Sequence, residues 1–240
     1  MQTVLAAAGI KKSYGHRQVL RGLDFSACRQ ETVALLGANG SGKTTFLRIL
    51  STLLSPDAGE CAYFGQPLKG NEIEIRRRIG LVSHPLMLYS DLSADENLRF
   101  TAQMYALQEA QQRIDQILEL VGLTRQRSQP VNTFSRGMQQ RLSIARALLP
   151  DPQILFLDEP FTGLDRGMAE RTMQLLQQIV GQQKTVIMTS HNLKEVALLA
   201  TRVLFLQNGH FVDEVPMAGL DEHALADRYQ SVTEPGGKIE

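Results

Sequence analysis

Eight residues, Gly37-Ala38-Asn39-Gly40-Ser41-Gly42-Lys43-Thr44, follow the pattern G-x-x-x-x-G-K-T. Glycines at these spacings let the backbone curl until several N–H groups point into one concavity. A helix starting at Lys43 would add its positive N-terminal end to the same spot. Such a loop takes the phosphates of a nucleotide. Lys43 reaches the β- and γ-phosphates, the Thr44 hydroxyl holds Mg²⁺, and Thr45 stands next in line for the α-phosphate. The implied cofactors are therefore ATP and Mg²⁺. A plain glycine-rich turn between strand and helix has no need of a lysine and a threonine at its end.

Hydrolysis needs acids as well. The apolar run 154–157 ends in Asp158, Glu159 and Pro160. In a parallel sheet, strand ends at the carboxyl edge deliver their residues to the ligand crevice. There Asp158 would bind Mg²⁺ through its water shell, and Glu159 would act as general base on the attacking water. Pro160 cannot extend the strand ladder. A second apolar run, 186–190, ends at His191, an imidazole able to hydrogen-bond the γ-phosphate and help orient that water. His16 and His210 fall in turn-like contexts and receive no role.

These groups need a scaffold that places strand ends side by side. The opening third reads as strands, including a buried one over 31–36, and a helix is expected from 43 to about 54, stopped by Ser55-Pro56. Another buried strand is expected over 79–83. From 93 to 149 the pattern turns helical: Ile114, Ile117, Leu118 and Val121 line one face, and Gly122 suits a C-cap. Strand signals return at 154–157, 185–189 and 203–207, and Met168, Leu175, Leu176 and Ile179 stripe a helix between the first two. The alternation predicts an α/β fold with a largely parallel sheet. Residues 1–92 and 150–228 form its core, 93–149 an inserted helical lobe, and 229–240 a fraying tail.

Composition limits the partners. The 240 residues are 43% hydrophobic, enough for a sizeable core, and 25 basic residues balance 25 acidic ones. That balance points away from nucleic acid and anionic lipid as electrostatic partners. Cys28 and Cys61 make no disulfide framework and read as two reduced thiols. Residues 1–10 lack the pattern of a signal peptide, and no run of eighteen apolar residues is present.

The stretch Asn132-Thr-Phe-Ser135-Arg136-Gly137-Met138-Gln139-Gln140-Arg141 resembles the signature motif of ABC ATPases. The order of the other pieces resembles that family too, over roughly residues 3–215. The resemblance implies a P-loop domain of ABC type, with an N-terminal antiparallel β part beside a mixed or parallel core sheet. It implies that Ser135, the Gly137 backbone and the helix N-terminus close over the γ-phosphate bound to the opposite subunit. Arg136 and Met138 depart from the commonest spelling but leave the serine and central glycine in place. Tyr14 stands where an aromatic residue stacks on adenine, and Gly163-Leu164-Asp165 looks like the loop coupling the two sites of the dimer. The family usually has a glutamine after the strand at 79–83, and here that slot is His84, followed by Pro85. Imidazole is a poor Mg²⁺ ligand, so direct metal binding is not expected. Sensing the γ-phosphate or its water shell and shaping the coupling surface both stay open.

The implied machine is a nucleotide-sandwich homodimer on the cytoplasmic face of a bacterial membrane, driving integral membrane subunits through the 84–100 loop. Within the family, Ser83-His84 and Glu96-Asn97-Leu98 look like the haem-exporter ATPase of cytochrome c maturation, although that group has glutamine where this chain has Pro85. Exporters of drugs, antibiotics or polysaccharides share most of these features and form the alternative. A soluble ABC ATPase without membrane partner commonly carries two cassettes, a long coiled coil or a basic surface, which this sequence lacks. A binding module without turnover would not need Lys43, Asp158, Glu159 and His191 together.

Overall fold

The computed structural model of the chain describes residues 2–233. A long hairpin opens it, β1 (Thr3–Tyr14) and β2 (Arg17–Cys28), followed by β3 (Thr32–Leu36) and α1 (Lys43–Leu50). Then come β4 (Ala58–Tyr63), β5 (Gln66–Pro67), α2 (Glu72–Arg77) and β6 (Ile79–Val82). The lobe contains α3 (Ala94–Met104), α4 (Ala110–Leu120) and α5 (Arg136–Leu148). The chain then returns to β7 (Ile154–Asp158), α6 (Arg166–Gly181), β8 (Thr185–Thr189), α7 (Leu193–Leu199), β9 (Arg202–Gln207), β10 (His210–Pro216) and α8 (Glu222–Thr233).

Two sheets result. One is antiparallel with order β2-β1-β4-β5, and the other runs β10-β9-β3-β8-β7-β6. In the second, β9, β3, β8, β7 and β6 are parallel and β10 returns antiparallel. Side chains alternate across a strand, and here both faces are buried. Val33 and Leu35 of β3, Ile154 and Phe156 of β7, and Leu204 and Leu206 of β9 face the core shared with the antiparallel sheet and α1. Their neighbours Ala34, Leu36, Leu155, Leu157, Val203 and Phe205 face the other core, which the helical lobe shares with α6, α7 and α8. Burial on both faces explains why the sequence shows these strands as continuous apolar runs.

The expected α/β architecture with its inserted lobe is present. Gly122 ends α4 in the left-handed region at φ +64°, where its N–H donates to Glu119 and that of Leu123 to Leu118. This is the paired C-terminal bonding that glycine makes affordable. Two expectations need correction. The helix after the phosphate loop stops at Leu50 rather than 54, because Thr52 turns to φ +61° and the Leu53 and Leu54 N–H groups both return to the Arg48 carbonyl. The expected tail from 229 begins inside α8: the Tyr229 ring packs 6.2 Å from Phe205 and Val232 is buried. The rest of that expectation, 234–240, lies outside the described residues.

Candidate nucleotide site

The central strand β3 runs straight into the loop 37–42, and α1 begins at Lys43. The loop leaves no room for side chains at two glycines. A Cβ on Gly37 would meet the Leu206 carbonyl at 2.2 Å, and one on Gly42, at φ +115°, would meet Leu20 at 2.7 Å. Lys43 is buried and donates to the carbonyls of Gly37 at 2.7 Å and Ala38 at 3.1 Å. Burial lowers its pKa from the ordinary lysine value, while Glu159 and Asp158 hold it up. Ser41 contributes a buried Oγ that has no hydrogen-bond partner among the described residues. An orphaned buried hydroxyl in a glycine-rich loop that lines a hollow fits an incoming polyphosphate.

The carboxyl ends of β7 and β8 bring the acids to the same loop. Asp158 is paired across the sheet with Thr189. Its Oδ1 accepts from Thr44 Oγ1 at 3.0 Å and from Thr189 Oγ1 at 2.8 Å. The Thr44 hydroxyl and Asp158 carboxylate are hard oxygen donors at hydrogen-bond distance, the pair a Mg²⁺ ion with phosphate ligands requires. Among the described residues no cluster of three or more His, Cys, Asp or Glu forms an all-protein metal cage. Glu159 adopts φ +48°, a left-handed conformation rare outside glycine. Its N–H donates to Thr189 Oγ1 at 2.9 Å, and its Oε2 accepts from Thr162 Oγ1 at 2.9 Å. His191 Nδ1 lies 3.5 Å from the same Oε2, and the ring is largely exposed. A carboxylate braced in this way can accept a proton from water arriving at the γ-phosphate position.

Tyr14 ends β1 with its side chain about half exposed, and it pairs with Arg17 across the hairpin turn. A Cβ on Gly40 would lie 3.6 Å from the Arg17 guanidinium, which sets the hairpin tip beside the phosphate loop. Sequence reasoning missed Arg17, Thr162 and Thr189. It also missed Glu195, whose Oε2 accepts from Ser190 Oγ at 2.8 Å. Burial raises the Glu195 pKa, against the lowering effect of Ser190.

The second candidate half-site belongs to the lobe. Ser135 caps α5, its hydroxyl accepting from the Met138 N–H at 3.3 Å. It makes no hydrogen bond to the phosphate loop of its own chain. A Cβ on Gly137 would meet Met168 atoms at 2.7, 2.8 and 2.9 Å, so glycine is what lets α5 approach α6 here. Gln139 donates to the Val131 carbonyl at 3.3 Å. Ser135, Gly137 and Met138 border a hollow of about 270 Å³. Asp165 caps α6, accepting from the Met168 N–H at 2.8 Å. His84 is exposed, with its Nε2 2.6 Å from Arg136.

The profile of the family described as "ABC transporter" matches residues 20–162. The chain belongs to that family. It is an ATP-binding, ATP-hydrolysing subunit of an ABC transporter. It is 36% identical over 211 residues to the linearmycin resistance ATP-binding protein of Bacillus subtilis, covering 87% of this chain and 68% of that one. It is 35% identical over 240 residues to the daunorubicin resistance ATP-binding protein of Streptomyces coeruleorubidus, covering 99% and 76%. Among solved structures, a dimeric ATP-binding cassette in a post-hydrolysis state with ADP and Pi matches with TM-score 0.81 and 29% identity, over 90% of this chain and all of that one. No described helix of this ABC subunit is long and apolar enough to cross a membrane.

Proposed function

We propose that this ABC subunit hydrolyses ATP at two sites shared between two copies of itself and so drives an exporter of drug- or antibiotic-like compounds. The observation that carries the catalytic part is the gathering of Lys43, Thr44, Asp158, Glu159 and His191 at one sheet edge. Lys43 exchanges the Gly37 and Ala38 carbonyls for β- and γ-phosphate oxygens. The backbone of Gly37, Ala38, Asn39, Gly40, Ser41 and Gly42 cradles the phosphates, with Thr45 at the α-phosphate and Tyr14 on the adenine. Thr44 and Asp158 would hold Mg²⁺, which when bound would neutralise phosphate charge. Glu159 takes the proton of the attacking water, and His191, 3.5 Å from it, orients that water. Ser135 and the Gly137 backbone, in the turn they share with Arg136, Met138 and Gln139, face the γ-phosphate of the partner copy, and Asp165 couples the two sites. The dimeric relative bound to ADP and Pi supports this arrangement.

A membrane partner is supported by an exposed apolar patch formed by the loop between β6 and α3 together with α3 itself. Tyr89 and Phe100 pack edge to face at 5.0 Å, both exposed, beside exposed Met87. With Leu88, Thr101 and Arg146 they border a hollow of about 350 Å³. A helical segment of an integral membrane subunit fits there, and it would hold the chain peripherally on the cytoplasmic face.

The drug-resistance relatives favour the drug or antibiotic class of cargo. The narrower haem-export reading rests on Ser83-His84 and Glu96-Asn97-Leu98, and these residues have local tasks. Glu96 and Ser93 form a reciprocal cap on α3, and Asn97 bonds the Tyr89 backbone in both directions. Such tasks carry no information about cargo.

Glu159→Gln tests the mechanism. It is expected to keep ATP binding and accumulate ATP-bound dimers, while phosphate release falls by about 10²-fold or more. Hydrolysis at the wild-type rate by this variant overturns the general-base assignment. Membrane proteins that co-purify after gentle solubilisation identify the cargo class: a drug-type permease supports the reading, and cytochrome-maturation subunits with haem replace it.

A further inference from the structure

The two positions where this chain departs most from the expected motifs, His84 and Arg136, touch each other. Arg136 Nη2 lies 2.6 Å from His84 Nε2. A guanidinium only donates, so Nε2 is the acceptor and the ring proton sits on Nδ1. The same histidine is held from the other side, its carbonyl accepting from Arg48 at 3.2 Å. Arg48 belongs to α1, the helix that begins at Lys43. Arg136 is the first residue of α5, directly after the Ser135 cap. Its Nε lies 3.7 Å from where a Cβ would stand on Gly163, against the loop that leads to Asp165. Residue 84 thus joins the two helices, the one after the phosphate loop through its backbone carbonyl and the one after the signature serine through its imidazole. The helix itself gives no reason for the arginine. A cation in the first turn opposes the helix dipole by about 0.3–1 kcal/mol.

Symmetry explains why such a joint would matter. In a two-fold dimer, a contact from the phosphate loop of one copy to Ser135 of the other occurs twice. Both sites close together only if the phosphate loop and Ser135 stand at one fixed separation within each chain. That separation is the orientation of lobe against core. A strut between α1 and α5 sets it for both sites at once.

We propose that Arg136 is a positioning residue, anchored by His84 of its own chain, that sets Ser135 at the distance from the phosphate loop which the closed dimer needs. His84 acts as a hydrogen-bond acceptor in this strut and not as a metal ligand. Because it lies at the start of the loop bearing Tyr89, movement of that loop reaches Ser135 through Arg136. The proposal rests on the shared-site reading above.

The test uses the full chain carrying Glu159→Gln as parent, with ATP-driven dimerisation followed by light scattering. Nucleotide binding is measured separately on dilute monomer. His84→Ala and Arg136→Ala are each expected to raise the ATP concentration at half-dimerisation about tenfold, the size set by one charge-assisted hydrogen bond. Monomer ATP affinity should stay within about twofold, and the double variant should be no worse than either single one, as expected for residues acting as a pair. His84→Gln, which retains an acceptor oxygen, should recover most of the loss. Multiplying losses in the double variant, unchanged dimerisation in Arg136→Ala, or His84→Gln as poor as His84→Ala would each overturn the strut. A parent that binds ATP but never dimerises sinks the shared-site reading, and the strut with it.

Discussion

Replacing Thr189 by valine removes one hydroxyl from a fully buried side chain and keeps its shape. That hydroxyl does two things at once. It donates to Asp158 at 2.8 Å and accepts from the Glu159 N–H at 2.9 Å. The first bond, to a charged acceptor, is of the class that contributes about 1.5–3 kcal/mol, and an orphaned buried N–H costs about 1–3 kcal/mol. The added methyl returns about 1 kcal/mol through apolar burial. The expected net loss is about 2 kcal/mol, a fall in melting temperature of about 4–8 °C for a chain of this size. The effect on catalysis should be larger than this suggests. Glu159 sits at φ +48°, in a region that costs a non-glycine residue about 1–3 kcal/mol and persists only when neighbours hold it. With its N–H released, the carboxylate moves off the water position, and displacements of about 1 Å lower turnover by about 10²-fold. Thr189→Val should therefore reduce kcat about 10- to 100-fold with little change in KM, and Thr189→Ser should retain most of it. Calorimetric melting and phosphate release measure both. A variant that melts with the wild type and turns over normally would show that Thr189 braces nothing.

Gly137→Ala places a methyl inside 3.0 Å of three Met168 atoms. Overpacking of about 1–3 kcal/mol is partly offset by about 1 kcal/mol of helix propensity, so a net loss of about 1 kcal/mol in urea unfolding is expected, relieved when Met168→Ala is added. Glu195→Gln tests the half-buried carboxyl on α7. Burial raises its pKa above the ordinary 4.5, so it costs nothing in acid, where folded and unfolded chains are both protonated. The penalty grows as pH rises through 4.5 and is complete above the raised value. The glutamine variant should melt higher than wild type at pH 7 and equal to it below about pH 4.

The elements that hold phosphate and acids were legible because each is signalled locally. An apolar run of five residues ending in Gly37, and another ending in Asp158-Glu159, announce buried parallel strands and their carboxyl ends with no knowledge of partners. What was missed depends on pairing. Thr189 reaches Asp158 only because β8 lies beside β7 in a register that sets them opposite one another. In the structure β7 and β8 are equally long and their aligned ends set Thr189 beside Asp158, whereas the sequence run was expected to stop at 157. Arg17 offered no signal, because the approach of a hairpin tip to Gly40 is set by how two sheets stack. The end of α1 was misjudged because Leu53 and Leu54 read as continuing a helical stripe, while the backbone had already folded back onto Arg48.

The two half-sites differ in how far the single chain completes them. Lys43, Asp158 and Thr189 are buried, and each has its hydrogen-bond partners within the chain. Ser135 and Asp165 are also satisfied, but only by capping their own helices through the Met138 and Met168 N–H groups. Neither side chain therefore needs a second copy to satisfy its hydrogen bonds. A ligand shifts an equilibrium only by its different affinity for the two states. In the proposed shared-site dimer that difference comes from the γ-phosphate, which would offer Ser135 and the Gly137 backbone of a partner an anion they lack in the monomer. On that proposal hydrolysis would remove the link between the copies, and the dimer would reopen.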